Sequence, residues 1–220
     1  MTLRKVGIIG SGRIGGTVGI LLAKAGCEVV FSSRHPDNLK DLAKAAGPSA
    51  CAGTVDEAAS FGDVILLSLP LKAVPELDES TKTALQGKIV IDTSNPYPER
   101  DGMIAEDARK DPGGMGSVIA RLLPGARVVR AFNSVYFEDL RRTTNRMGEK
   151  IGIPIAGDDR EAVDVTIELV EKAGLDPVVV GGLKDSKRFD VGTAVYATSA
   201  SAREIREKLR LKPEGKKKAA

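Results

Sequence analysis

Gly10-Ser11-Gly12-Arg13-Ile14-Gly15 stands between a short apolar run and a helical pattern, and it restricts the fold of this chain more than any other segment. The spacing is G-x-G-x-x-G. Alone it is a common glycine turn; at the first strand-to-helix junction it reads as a dinucleotide-binding turn. The three glycines have separate physical tasks. Gly10 lets the chain turn tightly, Gly12 lets the backbone approach a diphosphate, and Gly15 lets helix and strand pack closely. The following helix N-terminus offers free N–H groups and a partial positive charge to the anion.

The rest of the chain repeats the strand–helix alternation that begins there. Strands are predicted over 5–10, 28–31, 64–69, 88–92 and 127–131, and helices over 12–25, 37–46, 54–60 and 71–86. Residues 95–116 read as irregular, with Ser117 capping a short helix to 123. Beyond Asn133 come a polar stretch over 141–150, strands over 152–157 and 177–180, and helices over 160–173 and 198–211. Such alternation predicts an α/β fold: a Rossmann-type, doubly wound, mostly parallel sheet with a small C-terminal extension. The expected division is residues 1–135 for coenzyme binding, 136–211 to extend the sheet and help form the acceptor site, and 212–220 as a basic tail.

The end of the second strand decides between the two nicotinamide coenzymes. An NAD site places an Asp or Glu there, about 20 residues past the glycines, on the ribose hydroxyls. Here the sequence is Phe31-Ser32-Ser33-Arg34, without an acid. Ser33 and Arg34 are candidates for a 2′-phosphate, Arg34 through a bidentate, charge-assisted pair. His35 and Lys40 are candidate additions. The expected coenzyme is therefore NADP(H); the alternative is that Arg34 is a solvated loop cation.

Composition excludes several other functions. From Arg203 onward there are eight basic and three acidic residues, so a chain of net charge +3 leaves its first 202 residues near −2. That body has no basic stripe for nucleic acid. One His and two well-separated cysteines offer no metal site and no Ser-His-Asp system, and the thiols suit a reducing, cytoplasmic setting. No segment approaches the roughly 20 apolar residues of a membrane span. The lack of an acid–base dyad suits hydride transfer, in which the protein supplies position and electrostatics.

Seven stretches together carry a family resemblance: KVGIIGSGRIG, VVFSSR, VILLSLP, KIVIDTSNP, LLPGARVVRAFNS, IPIAGDD and VVVGGLKDSKRFD. Over about residues 4–211 the chain resembles the F420-dependent NADP oxidoreductases and the bacterial dinucleotide-binding reductases related to them. The resemblance implies hydride transfer between NADP(H) and a flavin-like acceptor, with F420 first among candidates, in a homodimer. It implies that Ser11, Gly12, Arg13 and Ile14 cradle the diphosphate. Ser68, Leu69, Pro70, Val74, Asn95 and Pro96 would line the nicotinamide side, and Phe132, Asn133 and Ser134 would flank nicotinamide and acceptor. Asn38 stands where the family has a lysine, and Leu71 where archaeal enzymes have Trp. The same regions resemble the cytoplasmic domain of ferric reductases. A ferric chelate, an imine or free flavin as acceptor, or a redox sensor without turnover, are the alternatives. Asn133 either meets nicotinamide or acceptor, or satisfies loop backbone. Tyr136 and Tyr196 read first as core or interface residues, and second as proton donors.

Overall fold

The computed structural model describes residues 4–142 and 148–211. The expected tail, 212–220, and residues 143–147 of the polar stretch lie outside the described residues.

Strand β1 (Lys5–Ile9) is buried at every position after Lys5. A strand covered on both faces needs successive apolar residues, so Val-Gly-Ile-Ile replaces the alternation of a half-wet strand. The chain then runs through α1 (Arg13–Lys24), β2 (Glu28–Ser32), α2 (Lys40–Ala46), β3 (Ala50–Gly53) and α3 (Val55–Phe61) before β4 (Val64–Leu67). β2 lies on one side of β1 and β4 on the other, both parallel to it. The direction of winding reverses at β1, which opens a crevice beyond the carboxyl ends of these strands.

Further along lie α4 (Glu79–Leu85), β5 (Ile89–Asp92), α5 (Pro98–Asp101), α6 (Met103–Lys110), α7 (Gly114–Leu122) and β6 (Arg127–Arg130). They are followed by α8 (Phe137–Arg141), β7 (Gly152–Gly157), α9 (Arg160–Lys172), β8 (Asp176–Gly181), a 3₁₀ segment (Leu183–Phe189) and α10 (Ala202–Lys208). All eight strands join one sheet in the order β3-β2-β1-β4-β5-β6-β7-β8. Among the described strands only β6 and β7 pair antiparallel, through Val129↔Gly157 and Arg130↔Ala156. The expected mostly parallel, doubly wound α/β sheet is what forms.

Neighbouring strand residues feed opposite faces. Ile8 and Leu66 join one apolar cluster, while Ile9, Ile65 and Leu67 join the other, as a side-chain period of two requires. The first cluster is continuous from Val18 and Leu22 of α1 to Leu169 and Val170 of α9 and Ile153 of β7. Burial of each such side chain contributes roughly 1.5–3 kcal/mol.

Several elements differ from expectation for physical reasons. Ala-Cys-Ala-Gly of β3 has no β-branched or aromatic residue, yet it pairs along β2 from Val29↔Ala50 to Ser32↔Gly53, satisfying an otherwise open edge. The single helix expected over 71–86 is a 3₁₀ turn (Leu71–Ala73) and then α4. Pro75 lies between the two and cannot continue a helical ladder. The supposedly irregular 95–116 contains α5, α6 and the start of α7, each too short to read by periodicity. Ser117 does not cap α7: the helix begins at Gly114, and the Ser117 hydroxyl donates to the Gly113 carbonyl at 2.8 Å. The last helix starts at Ala202, because Ser201 forms a capping box with Glu204 and residue 201 bridges to Ile151.

Candidate active site

The glycine turn has the geometry its sequence requires. Gly10 has φ +94°, and an added Cβ would stand 2.5 Å from the Ser68 carbonyl oxygen. A Cβ on Gly15 would stand 2.1 Å from the carbonyl oxygen of Gly10. A Cβ on Gly12 would meet nothing within 4 Å, so the space above this residue is open. Gly12 is the N-cap of α1, and no side chain caps that end. Open space beside uncapped N–H groups at the start of a twelve-residue helix fits a diphosphate. The Ser11 hydroxyl is engaged elsewhere, donating to the Ser32 carbonyl at 3.1 Å and tying the turn to β2.

Ser33 and Arg34 follow directly on β2. Ser33 Oγ accepts from the His35 amide at 3.0 Å. Arg34 is exposed and has no hydrogen bond or ion pair among the described residues. Lys40, the other candidate cation, already pairs with Asp37 at 2.7 Å.

A cleft of about 380 Å³ lies beyond the carboxyl ends of β1, β4, β5 and β6. It brings together Gly12, Arg13, Ile14, Ser68, Leu69, Pro70, Asn95 and Asn133 from four separate stretches of sequence. The Arg13 guanidinium lies 5.2 Å from the centroid of the Phe137 ring, with Arg141 at the same distance from that ring.

Four expected contacts are elsewhere. Val74 is fully buried in the core with Leu71 and Leu67, so it supports the cleft from behind rather than lining it. Phe132 is also fully buried, beside Val135 and Leu140. The chain turns there through φ +60°, so only Asn133 of Phe132, Asn133 and Ser134 lines the cleft. Ser134 is buried. Pro96 borders a second cavity of about 340 Å³, with Arg109, Lys187 and Thr193.

Asn133 is held in one orientation. Its Nδ2 donates to the Phe189 carbonyl at 3.1 Å, which only an amide nitrogen can do. Its Oδ1 is buried without a donor among the described residues. Such an acceptor suits a ligand N–H, for instance that of a carboxamide. Asn95 supports it, donating from Nδ2 to the Asn133 carbonyl at 2.9 Å.

Beneath this pair lies a buried charge network not anticipated from the sequence. Arg130 is fully buried, pairs with Asp92, lies 3.1 Å from Asp190, and donates to Asn95 Oδ1 at 3.3 Å. Burial pushes the Asp92 carboxyl up, against the opposing effects of Arg130 and Ser94. The available signal was the parallel register: Asp92 and Arg130 are direct partners at the carboxyl ends of β5 and β6. Thr93, Tyr97 and Tyr196 were also not assigned to the cleft; Tyr97 and Tyr196 share a hydroxyl–hydroxyl hydrogen bond. Burial, followed by the Tyr97 hydrogen bond, raises the Tyr196 phenol above its usual range.

Among the described residues no group of three or more His, Cys, Asp or Glu is placed to hold a metal, and no helix is long and apolar enough to cross a membrane. Fold and glycine turn define the class: a dinucleotide-binding protein built on a Rossmann-type sheet.

Known proteins resemble the chain in sequence and in fold. Residues 5–96 match the family described as NADP oxidoreductase, coenzyme F420-dependent. The chain is 29% identical over 198 residues to an F420-dependent NADP reductase of Methanothermobacter marburgensis, covering 83% of this chain and 86% of that one. It is 30% identical over 190 residues to Metalloreductase STEAP3 of Rattus norvegicus, covering 84% of this chain but 36% of the longer protein. Among solved structures, a hypothetical protein of Sinorhizobium meliloti, SMa0349, superimposes with a TM-score of 0.74 at 25% identity, covering 89% of this chain and 94% of that one. The chain is therefore an NADP-dependent oxidoreductase that is similar to the F420-dependent NADP reductases over more than four fifths of its length.

Proposed function

We propose that this protein is an NADPH-dependent reductase that passes hydride to a flavin-like acceptor, with coenzyme F420 as the first candidate. The observation that carries this reading is the continuity of one cleft from the open face of Gly12 to Asn133 across the carboxyl edge of the sheet. When bound, NADPH supplies a hydride from C4 of its dihydronicotinamide ring. In this reading residues 1–135 hold the coenzyme and 136–211 help close the acceptor side. Gly10, Ser11, Gly12, Arg13, Ile14 and Gly15 build the diphosphate cradle. Ser33 and Arg34 hold the 2′-phosphate. Ser68, Leu69, Pro70 and Asn95 line the path to the ring, and Asn133 orients the carboxamide. Val74, Pro96, Phe132 and Ser134 support these groups from outside the cleft.

An open cleft beside Asn133 favours an enzyme over a sensor, in which side chains would fill that space. The likeness to a metalloreductase supports a ferric chelate as the second acceptor class. The working form in this reading is a homodimer, as the family resemblance implies, in the cytoplasmic setting that its free thiols suit.

The test has two stages. NADPH and NADH are titrated by fluorescence into the wild type and Arg34→Ala. The wild type is expected to bind NADPH more tightly, and Arg34→Ala to weaken NADPH by about 1.5–3 kcal/mol with little effect on NADH. Equal wild-type affinities would remove the assignment of the 2′-phosphate site. NADPH oxidation at 340 nm is then followed with F420, FMN, 1-pyrroline and ferric citrate. Absence of turnover with all four would leave the sensor.

A further inference from the structure

The chain contains three tyrosines, and all three line the same cleft. Tyr97 comes from the segment after β5, Tyr136 from just before α8, and Tyr196 from beyond the 3₁₀ segment, so only the tertiary fold gathers them. Among the described residues the titratable groups otherwise lining the cleft are Arg13 and Arg100, and no carboxylate, histidine, lysine or cysteine borders it. An arginine stays charged and exchanges no proton at working pH. Beside the hydroxyls of Ser68, Thr93 and Ser94, the phenols are the side chains there that can both donate and accept one, and they are far more acidic than an aliphatic hydroxyl.

Two of the three are already coupled. Tyr97 and Tyr196 are hydrogen-bonded hydroxyl to hydroxyl. Whichever oxygen accepts, its own O–H remains free for a third partner. Tyr97 is further fixed by the Arg100 guanidinium, 5.0 Å from its ring centroid. Ala197, beside Tyr196, has φ +53°, one of three non-glycine residues with positive φ among those described. Holding such a residue left-handed costs on the order of 1–3 kcal/mol, and such residues cluster where a side chain must be aimed.

We propose that Tyr97 and Tyr196 form a two-hydroxyl proton relay that completes reduction of the acceptor. The inference rests on the reading of the cleft as the hydride-transfer site and adds a substrate class to it. The acceptor is a conjugated heterocycle or imine whose nitrogen or oxygen must be protonated as it is reduced. A new C–H bond forms at the electrophilic end of the conjugated system, and the π pair moves to the heteroatom at the other end. That atom takes the proton of Tyr196. Tyr196 takes the proton of Tyr97, and Tyr97 is replenished from water. NADPH, the acceptor and one proton from water give NADP⁺ and the reduced acceptor. Because the two transfers run together, neither phenol needs to exist as a free phenolate.

Tyr97→Phe and Tyr196→Phe are tested in the full-length protein. Each removes one hydroxyl and keeps the ring; far-UV circular dichroism checks the fold. The dissociation constant for NADPH is measured by fluorescence. NADPH oxidation is then followed with F420 as the probe acceptor, between pH 6 and 9, in H₂O and in D₂O. Each variant is expected to bind NADPH within about twofold of wild type, to lose about 100-fold in kcat, and to lose the solvent isotope effect of the wild type. A residue that merely packs would leave that isotope effect in place. If both variants bind NADPH and keep wild-type kcat and isotope effect, the relay is wrong and the reductase stands. Turnover by the wild type with ferric citrate alone also overturns the relay, since a metal-centred reduction needs no such proton. If the wild type oxidises NADPH with none of F420, FMN, 1-pyrroline and ferric citrate, the reductase reading fails and the relay with it.

Discussion

An added methyl group meets opposite surroundings at Gly12 and Gly15, three residues apart in one turn. At Gly15 it would collide with the Gly10 carbonyl, which belongs to rigid backbone, whereas at Gly12 it would enter open space. Gly15→Ala is therefore expected to destabilise the protein by about 1–3 kcal/mol, the usual range for overpacking. Gly12→Ala is expected to keep wild-type stability in urea titration and to lose at least tenfold in NADPH affinity, because its methyl occupies the approach of the diphosphate. Unchanged NADPH affinity in Gly12→Ala would remove the diphosphate from that position. These two roles were legible in the motif, since each follows from a missing side chain at a fixed place relative to strand and helix. Asn133 was legible as a candidate only. The structure shows the second alternative: its nitrogen satisfies loop backbone, while its oxygen has no donor among the described residues.

At the scale of elements, the antiparallel junction carries a pH-sensitive tie. Asp159 is the N-cap of α9, accepting from the Ala162 amide at 2.8 Å. It also accepts from Arg127 of β6, at 3.0 Å from Nε and 2.6 Å from Nη2. The Arg127 hydrogen bonds, aided by the helix amides, hold the Asp159 carboxyl at about 2, below its ordinary 3.8. A carboxyl with a lowered folded pKa stabilises the fold above its unfolded value, and that contribution disappears as pH falls through the folded value. Urea midpoints are therefore expected to decline from about pH 4 toward pH 2, with a shallower decline in Arg127→Gln. Equal slopes in the two proteins would show that this pair is not responsible. The strand and helix of this junction were legible, since 152–157 and 160–173 carry clear apolar patterns. The antiparallel turn between β6 and β7 was not, because local periodicity says nothing about which way a strand enters the sheet. β3 escaped for a related reason: its residues have little intrinsic strand preference, and the edge of β2 supplies the pairing.

The molecule as a whole is tied together by its first apolar cluster. Val6 and Ile8 of β1, Leu22 of α1, Ile153 and Ile155 of β7, and Leu169 and Val170 of α9 share one core, so the C-terminal strands are packed against the same residues that bury the glycine-turn helix. The buried Arg130 network crosses the same boundary, joining Asp92 and Asn95 to Asp190. Unfolding in urea is therefore expected to follow one transition, with coincident midpoints by far-UV circular dichroism and by tyrosine fluorescence. The chain lacks tryptophan, so Tyr97, Tyr136 and Tyr196 report directly on the cleft. Separate midpoints would show that cleft and sheet come apart independently.

What the amino-acid order determined unaided is local: a glycine turn between strand and helix, buried strands written as apolar runs, and a serine–arginine pair in place of an acid at the end of β2. Each is set by backbone sterics or by burial over a few neighbouring residues. Only the tertiary structure decided which distant residues meet. It sent Phe132, Ser134 and Val74 into the core and left Asn133 in the cleft. It also paired Arg130 with Asp92 and drew three scattered tyrosines to one cleft. Those outcomes depend on strand order, register and the turn of the chain at Phe132, and so on the packing of the whole sheet rather than on any one segment.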